Sequence, residues 1–189
     1  MIYIGIDPSI NCTGVCVSID SINKYYMVAS KMTKKMSNFK HNYIKIIEYV
    51  KKDTKNQEYP EKELTKTNNI VNICKCIESV LDKYISDDSI YVYMEGVSYG
   101  STGSAALVDL SGLNFCIRQL LINKGIKFTI VSPTSLKKFA CANGQAEKDI
   151  IIDAWKRLDC NIKNVKDIKI DDLADSYFLA HYNLQKNLA

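Results

Sequence analysis

The sequence predicts an α/β fold with a mixed five-stranded sheet, in which three antiparallel strands are followed by two parallel strands and helices flank the sheet. Two patterns lead to this prediction. Three short apolar runs separated by turns open the chain, and later apolar runs alternate with stretches of helical periodicity. The 189 residues can bury one substantial core but not two. We therefore expect residues 1–189 to form a single domain.

The opening apolar runs predict an antiparallel meander. Residues 2–6 are an apolar run that ends at Asp7-Pro8, which is typical of a buried strand followed by a turn. After that turn, residues 15–19 indicate a second strand and residues 25–29 a third.

The lysine-rich segment, from residue 31 to about residue 62, has only weak periodicity. Tyr43, Ile44, Ile47 and Val50 recur at helical spacing, so we expect part of this segment to be helical and part to be loop. We interpret it as an insertion within the domain.

Helices and strands alternate in the remainder of the chain. Apolar residues recur every three or four positions through several stretches, and Asp87-Asp88, Gly125 and Ser132-Pro133 interrupt the pattern. The predicted helices cover about residues 63–85, 106–123, 136–140, 146–158 and 173–185, and the predicted strands cover 90–94 and 127–131.

Composition excludes several protein classes. A hydrophobic fraction of 47% and a charged fraction of 24% are ordinary for a globular protein and exclude a disordered or fibrous one. We expect no signal peptide and no membrane contact, since the best apolar run, residues 112–122, is short and contains Arg118. The seven cysteines are odd in number and form no Cys-x-x-Cys pair, so we expect reduced thiols in a cytoplasmic or nucleoid-associated protein.

The net charge of +4 conceals an uneven distribution. Residues 31–66 hold ten lysines and five acids, residues 67–95 two bases and five acids, and residues 96–150 six bases and three acids. This alternation suits a polyanion bound around a carboxylate-bearing centre, although a lysine-rich stretch is also typical of a solvated surface. Only two of the 25 basic residues are arginines, so a bound nucleic acid would be recognised by shape rather than by sequence.

Four carboxylates occupy positions where α/β folds build sites. Asp7 and Glu95 each end a predicted strand, and Asp172 and Asp175 lie three residues apart at the start of the last helix. Hard oxygen ligands suit Mg²⁺, and two such ions about 4 Å apart can promote phosphodiester hydrolysis. Each acid alone also has an ordinary explanation as a turn starter, an exposed strand end or a helix cap, and Asp171 could replace Asp172.

These motifs together resemble the RuvC-type Holliday-junction resolvases of the ribonuclease H-like superfamily. The opening motif is Gly5-Ile6-Asp7-Pro8-Ser9 followed by Thr13-Gly14, the second family acid matches Glu95, and the closing motif matches Asp172-Leu173-Ala174-Asp175. Leu136-Lys137-Lys138 and Ala146-Glu147-Lys148 resemble the two basic positions of the family. The resemblance covers nearly the whole chain.

The resemblance implies a metal-dependent endonuclease of DNA recombination and repair. It implies a homodimer that makes symmetric nicks in four-way DNA junctions with two Mg²⁺ ions per site, or Mn²⁺, and without a covalent intermediate. Asp7 would bridge the ions, with Glu95, Asp172 and Asp175 completing the ligand set. Lys137 and the catalytic Lys148 would contact phosphate near the scissile bond, together with Lys138; the alternative is that these lysines are merely exposed.

The chain departs from the family in two places. The stretch between Asp7 and Glu95 is longer than in the typical bacterial enzyme, so the role of the lysine-rich segment does not follow from the resemblance. After Glu95, a loop rich in glycine and serine carries Tyr99 and Ser101, which we expect to contact DNA, with Tyr99 stacking on a junction base; a plain strand-to-helix connection is the alternative. The loop and the low arginine content resemble phage, viral or mobile-element versions.

Three other functions compete with junction resolution. A related ribonuclease H-like nuclease could act on flaps, D-loops or RNA–DNA hybrids. An actin-like or sugar-kinase-type phosphotransferase also opens with a strand, an Asp and a Gly/Ser/Thr turn, but the chain is short and has no second Asp-x-Gly turn. A non-catalytic junction binder would not need all four acids.

Overall fold

A computed structural model describes residues 1–85, 89–97, 104–162, 165 and 170–183. The strands are β1 (Ile2–Asp7), β2 (Cys12–Ile19), β3 (Ile22–Ala29), β4 (Ile44–Glu48), β5 (Ile90–Glu95) and β6 (Lys127–Val131). The helices are α1 (Lys34–Ser37), α2 (Tyr59–Leu81), α3 (Ser104–Asn123), α4 (Pro133–Cys141), α5 (Lys148–Leu158) and α6 (Asp171–Ala180), and Cys160–Ile162 form a 3-10 turn.

The strands form one mixed sheet in the order β4-β3-β2-β1-β5-β6. The pairs β1–β2 and β2–β3 are antiparallel, whereas β1–β5 and β5–β6 are parallel. The prediction of three antiparallel strands followed by parallel strands within a ribonuclease H-like α/β fold is therefore confirmed. The predicted number of strands was wrong, because the sheet has six strands rather than five.

The additional strand is β4, which lies inside the lysine-rich segment and pairs in parallel with β3, with Tyr25 opposite Ile44. The prediction of helix in this part of the chain was wrong. Ile44 is buried and its neighbour Lys45 is exposed, as expected for an edge strand that is covered on one face. Spacings of three to four residues between apolar side chains suggested a helix, but the strand contributes only five residues, too few to separate the two periodicities.

The observed ends of three helices differ from the predicted ones by a few residues. α2 begins at Tyr59 rather than residue 63, because Pro60 occupies its first turn, where a missing N–H costs nothing. α4 begins at Pro133, where the Ser132 side chain accepts a hydrogen bond from the Ser135 N–H. α6 begins at Asp171 and ends at Ala180, whereas the prediction extended to residue 185.

Helices pack on both faces of the sheet. One core lies between the sheet and α2 and α3, and contains Ile4, Ile6, Ile73 and Leu113, all fully buried. The other core lies between the sheet and α4, α5 and α6, and includes Met27, Trp155 and Phe178. Because side chains alternate along a strand, β1 directs Ile4 and Ile6 to the first core and Gly5 and Asp7 to the α6 side.

Two glycines allow α6 to lie directly on the sheet. A Cβ at Gly5 would lie 1.9 Å from the Ser176 carbonyl oxygen, and a Cβ at Gly14 would lie 2.0 Å from the Asp172 carbonyl oxygen. No side chain larger than hydrogen fits at either position without moving the helix. Since Gly14 pairs with Asp7 in the β1–β2 register, the same contact brings the first turn of α6 next to Asp7.

Candidate active site

Asp7 and Glu95 lie side by side at the carboxyl edge of the sheet. The β1–β5 register pairs Ile6 with Met94, so the next residue on each strand is one of the two acids. The Asp7 and Glu95 carboxyl groups share a hydrogen bond, which raises the pKa of Asp7 and lowers that of Glu95. The chain after Asp7 turns tightly, because the Thr13 hydroxyl donates to the Ser9 carbonyl at 2.8 Å and accepts from the Ser9 N–H at 3.1 Å.

The start of α6 brings Asp172 and Asp175 to the same place. Both residues interact electrostatically with the Asp7 carboxyl, and with each other and Glu95 across the cluster. The helix cap is Ile170 and no side chain caps the helix, so the alternative explanation of Asp171 or Asp172 as an N-cap was wrong. The carboxylate cluster is thus Asp7, Glu95, Asp172 and Asp175, the four acids singled out from the sequence.

Burial and mutual repulsion raise the pKa values within this carboxylate cluster. Burial raises the pKa of Asp7 well above its usual range, and the charges of Glu95, Asp175 and Asp172 raise it further. Burial, followed by Glu95 and Asp172, raises the pKa of Asp175 to about 7. Burial also raises the pKa of Glu95, although the hydrogen bond from Asp7 and the positive charge of Lys137 oppose that shift. The cluster therefore holds protons that a cation could displace.

The fifth acid of the region, Asp171, has a different neighbour. Its Oδ2 accepts a hydrogen bond from the Lys148 Nζ at 2.7 Å, and its side chain is 7% exposed. Asp172 acts on the Asp7 carboxyl, whereas Asp171 acts on Asp175. We therefore assign Asp172 to the carboxylate cluster, and Asp171 holds the lysine at the first position of α5.

Two of the predicted basic residues face the cluster. The charges of both Lys137 on α4 and Lys148 on α5 lower the pKa of Glu95. Lys138 is exposed on α4, and none of the interactions of the described residues connects it with the carboxylate cluster. Tyr99 and Ser101, predicted to contact DNA, lie outside the described residues.

The donor set of the cluster fits a hard divalent cation. It consists of carboxylate oxygens, which Mg²⁺ and Mn²⁺ prefer, and the hydrogen bond between Asp7 and Glu95 shows how close two of the carboxyl groups lie. Among the described residues, no group of three or more Asp, Glu, His or Cys side chains converges on a single ligand position. Cations bound among these carboxylates would offset their mutual repulsion.

One residue of the site carried no functional signal in the sequence. Asn114 on α3 is 1% exposed, and its Nδ2 donates to the Glu95 carbonyl oxygen at 2.8 Å. It fixes the end of β5 that carries the Glu95 carboxylate. The only feature that could have identified Asn114 is that it is a polar residue among the buried apolar positions of a helix, next to Leu113 and close to Ile117.

The pairing between Asp171 and Lys148 gives a first prediction. We expect Asp171→Asn to lower the pKa of Lys148, because the hydrogen bond to the Asp171 carboxylate is the largest cause that raises it. Titration of the Lys148 ammonium group by NMR would measure the change, and the exposed Asp153→Asn on α5 serves as the control. An unchanged pKa of Lys148 would contradict the pairing.

Known structures share this architecture over nearly the whole chain, although no protein-family model matches the sequence and no curated protein does. The structure of RuvC from Thermus thermophilus has a TM-score of 0.60 at 13% identity and covers 99% of this chain and 97% of its own. The T. thermophilus RuvC complex with a Holliday junction substrate has a TM-score of 0.56 at 12% identity, with 99% and 96% covered. The yeast mitochondrial Holliday junction resolvase Ydc2 has a TM-score of 0.54 at 14% identity, with 98% and 83% covered. The chain has the fold of the RuvC-type resolvases.

Proposed function

We propose that the protein is a metal-dependent DNA endonuclease that resolves four-way junctions by paired symmetric nicks. The carboxylate cluster is the observation that carries this proposal, because it lies at the carboxyl edge of a sheet whose fold is shared with resolvases over 99% of the chain. A RuvC of that fold has been captured with a Holliday junction. The activity would serve DNA recombination and repair.

Asp7, Glu95, Asp172 and Asp175 are the residues that would hold two Mg²⁺ ions, or Mn²⁺. When bound, such ions supply Lewis-acid activation of a water and offset the charge that develops on the phosphate and on the leaving oxygen. Asp7, which interacts with Glu95, Asp172 and Asp175, would contribute its carboxylate to the metal site. Metal binding would release the protons that burial retains on the cluster.

Lys137 and Lys148 supply positive charge at the rim of the cluster. Lys148 keeps its side chain 67% exposed while Asp171 holds its ammonium group, so it can contact a phosphate oxygen from a fixed position. Lys137 is half-buried and acts on Glu95. We propose that these two lysines bind the phosphate at the cleaved bond and stabilise its charge in the transition state.

Paired nicks require two sites, and α3 offers a surface that could join two copies. Val108, Phe115 and Ile122 are 65%, 60% and 60% exposed, and their seven-residue spacing aligns them on one side of the helix. By length and composition, residues 105–123 are also long and apolar enough to cross a membrane, in contrast to the expectation of no membrane contact, although core helices meet the same criterion. Leu113, Ile117 and Leu121 on the other side of α3 pack in the core, so we propose a homodimer through the exposed stripe.

The dimer proposal gives a second prediction. We expect Phe115→Glu to weaken self-association at least about a hundredfold, because it places a charge in a desolvated contact. The monomer would still nick single strands of a junction but would not make paired nicks. Sedimentation equilibrium and strand-specific cleavage would measure both effects, with the exposed Ile22→Glu as the matched control. Wild-type protein that is monomeric with and without DNA would contradict a dimer.

Substrate choice tests the proposed function directly. Wild type would be compared on a four-way junction, a flap, a D-loop, an RNA–DNA hybrid and a linear duplex, each with Mg²⁺ and with EDTA. We expect cleavage of the junction at symmetric positions, with metal only. Preferential cleavage of flaps or hybrids would assign the carboxylate cluster to a different ribonuclease H-like activity, and ATP hydrolysis without DNA cleavage would point to a phosphotransferase.

A further inference from the structure

A second cationic surface lies at the same edge of the sheet as the carboxylate cluster but on the opposite face, beside α2. It is an open groove of about 560 Å³, which we call the lysine groove; Lys31, Lys51, Lys52 and Lys66 lie along it, with Ile10 and Ile70 among its apolar lining residues. Three of these lysines belong to the segment whose role the sequence left open.

Hydrogen bonds on both sides hold the part of the chain that carries Lys51 and Lys52. The Tyr49 N–H donates to the Ala29 carbonyl oxygen at 3.0 Å, and the Tyr49 hydroxyl donates to the Ile10 carbonyl oxygen. On the other side, Asn69 of α2 exchanges two hydrogen bonds with the Lys52 backbone, at 2.9 and 3.0 Å. These hydrogen bonds hold the backbone from which Lys51 and Lys52 extend, which a merely solvated lysine-rich loop would not do.

Three of the four lysines of the groove have no ion-pair partner among the described residues. Lys66 is paired with Glu63 at 3.1 Å and with Asp109 at 3.2 Å. In contrast, no ion pair within the described part of the chain involves Lys31, Lys51 or Lys52. The remaining acid in the groove, Asp53, accepts a hydrogen bond from the Lys55 N–H. The groove is therefore lined by four lysines and two acids, and keeps an excess of positive charge.

The lysine groove begins beside the turn that follows Asp7, at the edge of the sheet that carries the carboxylate cluster. The Lys51 Nζ donates to the Asn11 side-chain oxygen at 2.8 Å, and the Ser30 N–H donates to the Asn11 carbonyl oxygen at 3.0 Å. Asn11 belongs to the short turn that follows Asp7. A phosphate chain that leaves the carboxylate cluster across this turn would enter the groove next.

We propose that the lysine groove binds the phosphodiester backbone of a DNA arm that flanks the cleaved strand, as a site separate from the one that cuts. Lysines act as point charges on phosphates, so this contact is independent of base sequence. Ile10 and Ile70 provide an apolar surface for the sugar between two phosphates. The inference rests on the proposed function for the identity of the DNA, but its test reads binding and not cleavage.

The test measures the salt dependence of binding in EDTA, so that cleavage plays no part. Full-length protein with Lys51→Ala/Lys52→Ala would be titrated with a labelled linear duplex and a labelled four-way junction by fluorescence anisotropy at several salt concentrations. Binding weakens with salt, and each lost phosphate contact makes the negative slope of log K against log salt shallower by about 0.9, which at 0.1 M corresponds to about eightfold in affinity. We therefore expect the magnitude of the slope to fall by about 1.8, and the affinity at 0.1 M to fall at least about tenfold.

Two further variants keep the result interpretable. Lys31→Ala/Lys52→Ala leaves the Lys51–Asn11 hydrogen bond intact and should have the same effect. Lys75→Ala/Lys127→Ala removes the same charge from exposed sites on α2 and at the start of β6. Unchanged slopes in both groove variants, or an equal fall in the control, would overturn the proposal.

Titration with a nucleoside triphosphate shows whether the groove binds the phosphates of DNA or those of a free nucleotide. If the groove variants lose triphosphate binding and keep the DNA slope, the groove serves a free nucleotide and the proposal is wrong. If wild type cleaves no DNA but the slope still falls selectively in the groove variants, the proposed function fails and the lysine groove stands.

Discussion

Asp7→Asn is expected to abolish cleavage of a four-way junction while the junction remains bound. Asp7 is buried between Glu95 and the start of α6, so no other carboxylate can take its place. An amide keeps the shape and can still donate to Glu95, but it cannot supply two anionic oxygens to cations. We expect turnover with Mg²⁺ to fall at least about a thousandfold, comparable with the removal of a main electrostatic contributor to catalysis.

The same variant should be more stable than wild type when no metal is present. Asp7 resists ionisation because of burial and three neighbouring carboxylates, and Asn removes that cost. The gain in melting temperature in EDTA should grow from pH 6 to pH 8, as more of the cluster ionises. Asp153→Asn on α5 is the matched control for both readouts. A variant that cleaves normally, or one that melts earlier than wild type in EDTA, would contradict this role for Asp7.

The stability of the metal-free protein is expected to fall as the pH rises from about 4 to about 8. Burial raises the pKa values of Asp7, Asp175 and Glu95 above those of the unfolded chain, and that of Asp175 to about 7. Between the unfolded and folded pKa values the folded protein binds more protons than the unfolded chain. Stability is therefore retained below the unfolded values and lost as the pH rises through the folded ones, with a slope of up to about 1.4 kcal/mol per pH unit for each proton.

Mg²⁺ should reverse this pH dependence. Cations held by the folded arrangement of the four acids would displace the retained protons, so we expect added Mg²⁺ to stabilise more strongly at pH 8 than at pH 5. Thermal or urea unfolding across that pH range, with EDTA and with Mg²⁺, measures both slopes. Equal stabilisation by Mg²⁺ in wild type and in Asp7→Asn at pH 8 would contradict binding at the carboxylate cluster.

The sequence contained enough information to predict the framework of the site. Strand ends at Asp7 and Glu95 could be identified because continuous apolar runs stop there at a polar residue. Gly14, which pairs with Asp7, is also visible in the sequence. Only the packed structure shows that the absence of a side chain there lets the first turn of α6 lie against the sheet. The four acids could be grouped because each lies at the end of an element.

The remaining features depend on contacts between distant parts of the chain. Asp171 and Asp172 are equivalent neighbours in the sequence, and only the orientation of α6 gives one to Lys148, 23 residues away, and the other to the carboxylate cluster. Asn114 meets Glu95 across 19 residues. β4 escaped prediction because its five residues are too few to distinguish the periodicity of a strand from that of a helix.

Cleavage of a plasmid that extrudes a cruciform tests the central claim most directly. Two coordinated nicks across the extruded junction give a linear product, whereas a single nick gives an open circle. We predict that wild type with Mg²⁺ yields mainly linear plasmid cut at the cruciform, that Phe115→Glu yields mainly open circles, and that Asp7→Asn leaves the plasmid supercoiled. Wild type that leaves the cruciform uncut, or that nicks a plasmid without a cruciform equally well, would contradict the assignment of the carboxylate cluster to junction resolution.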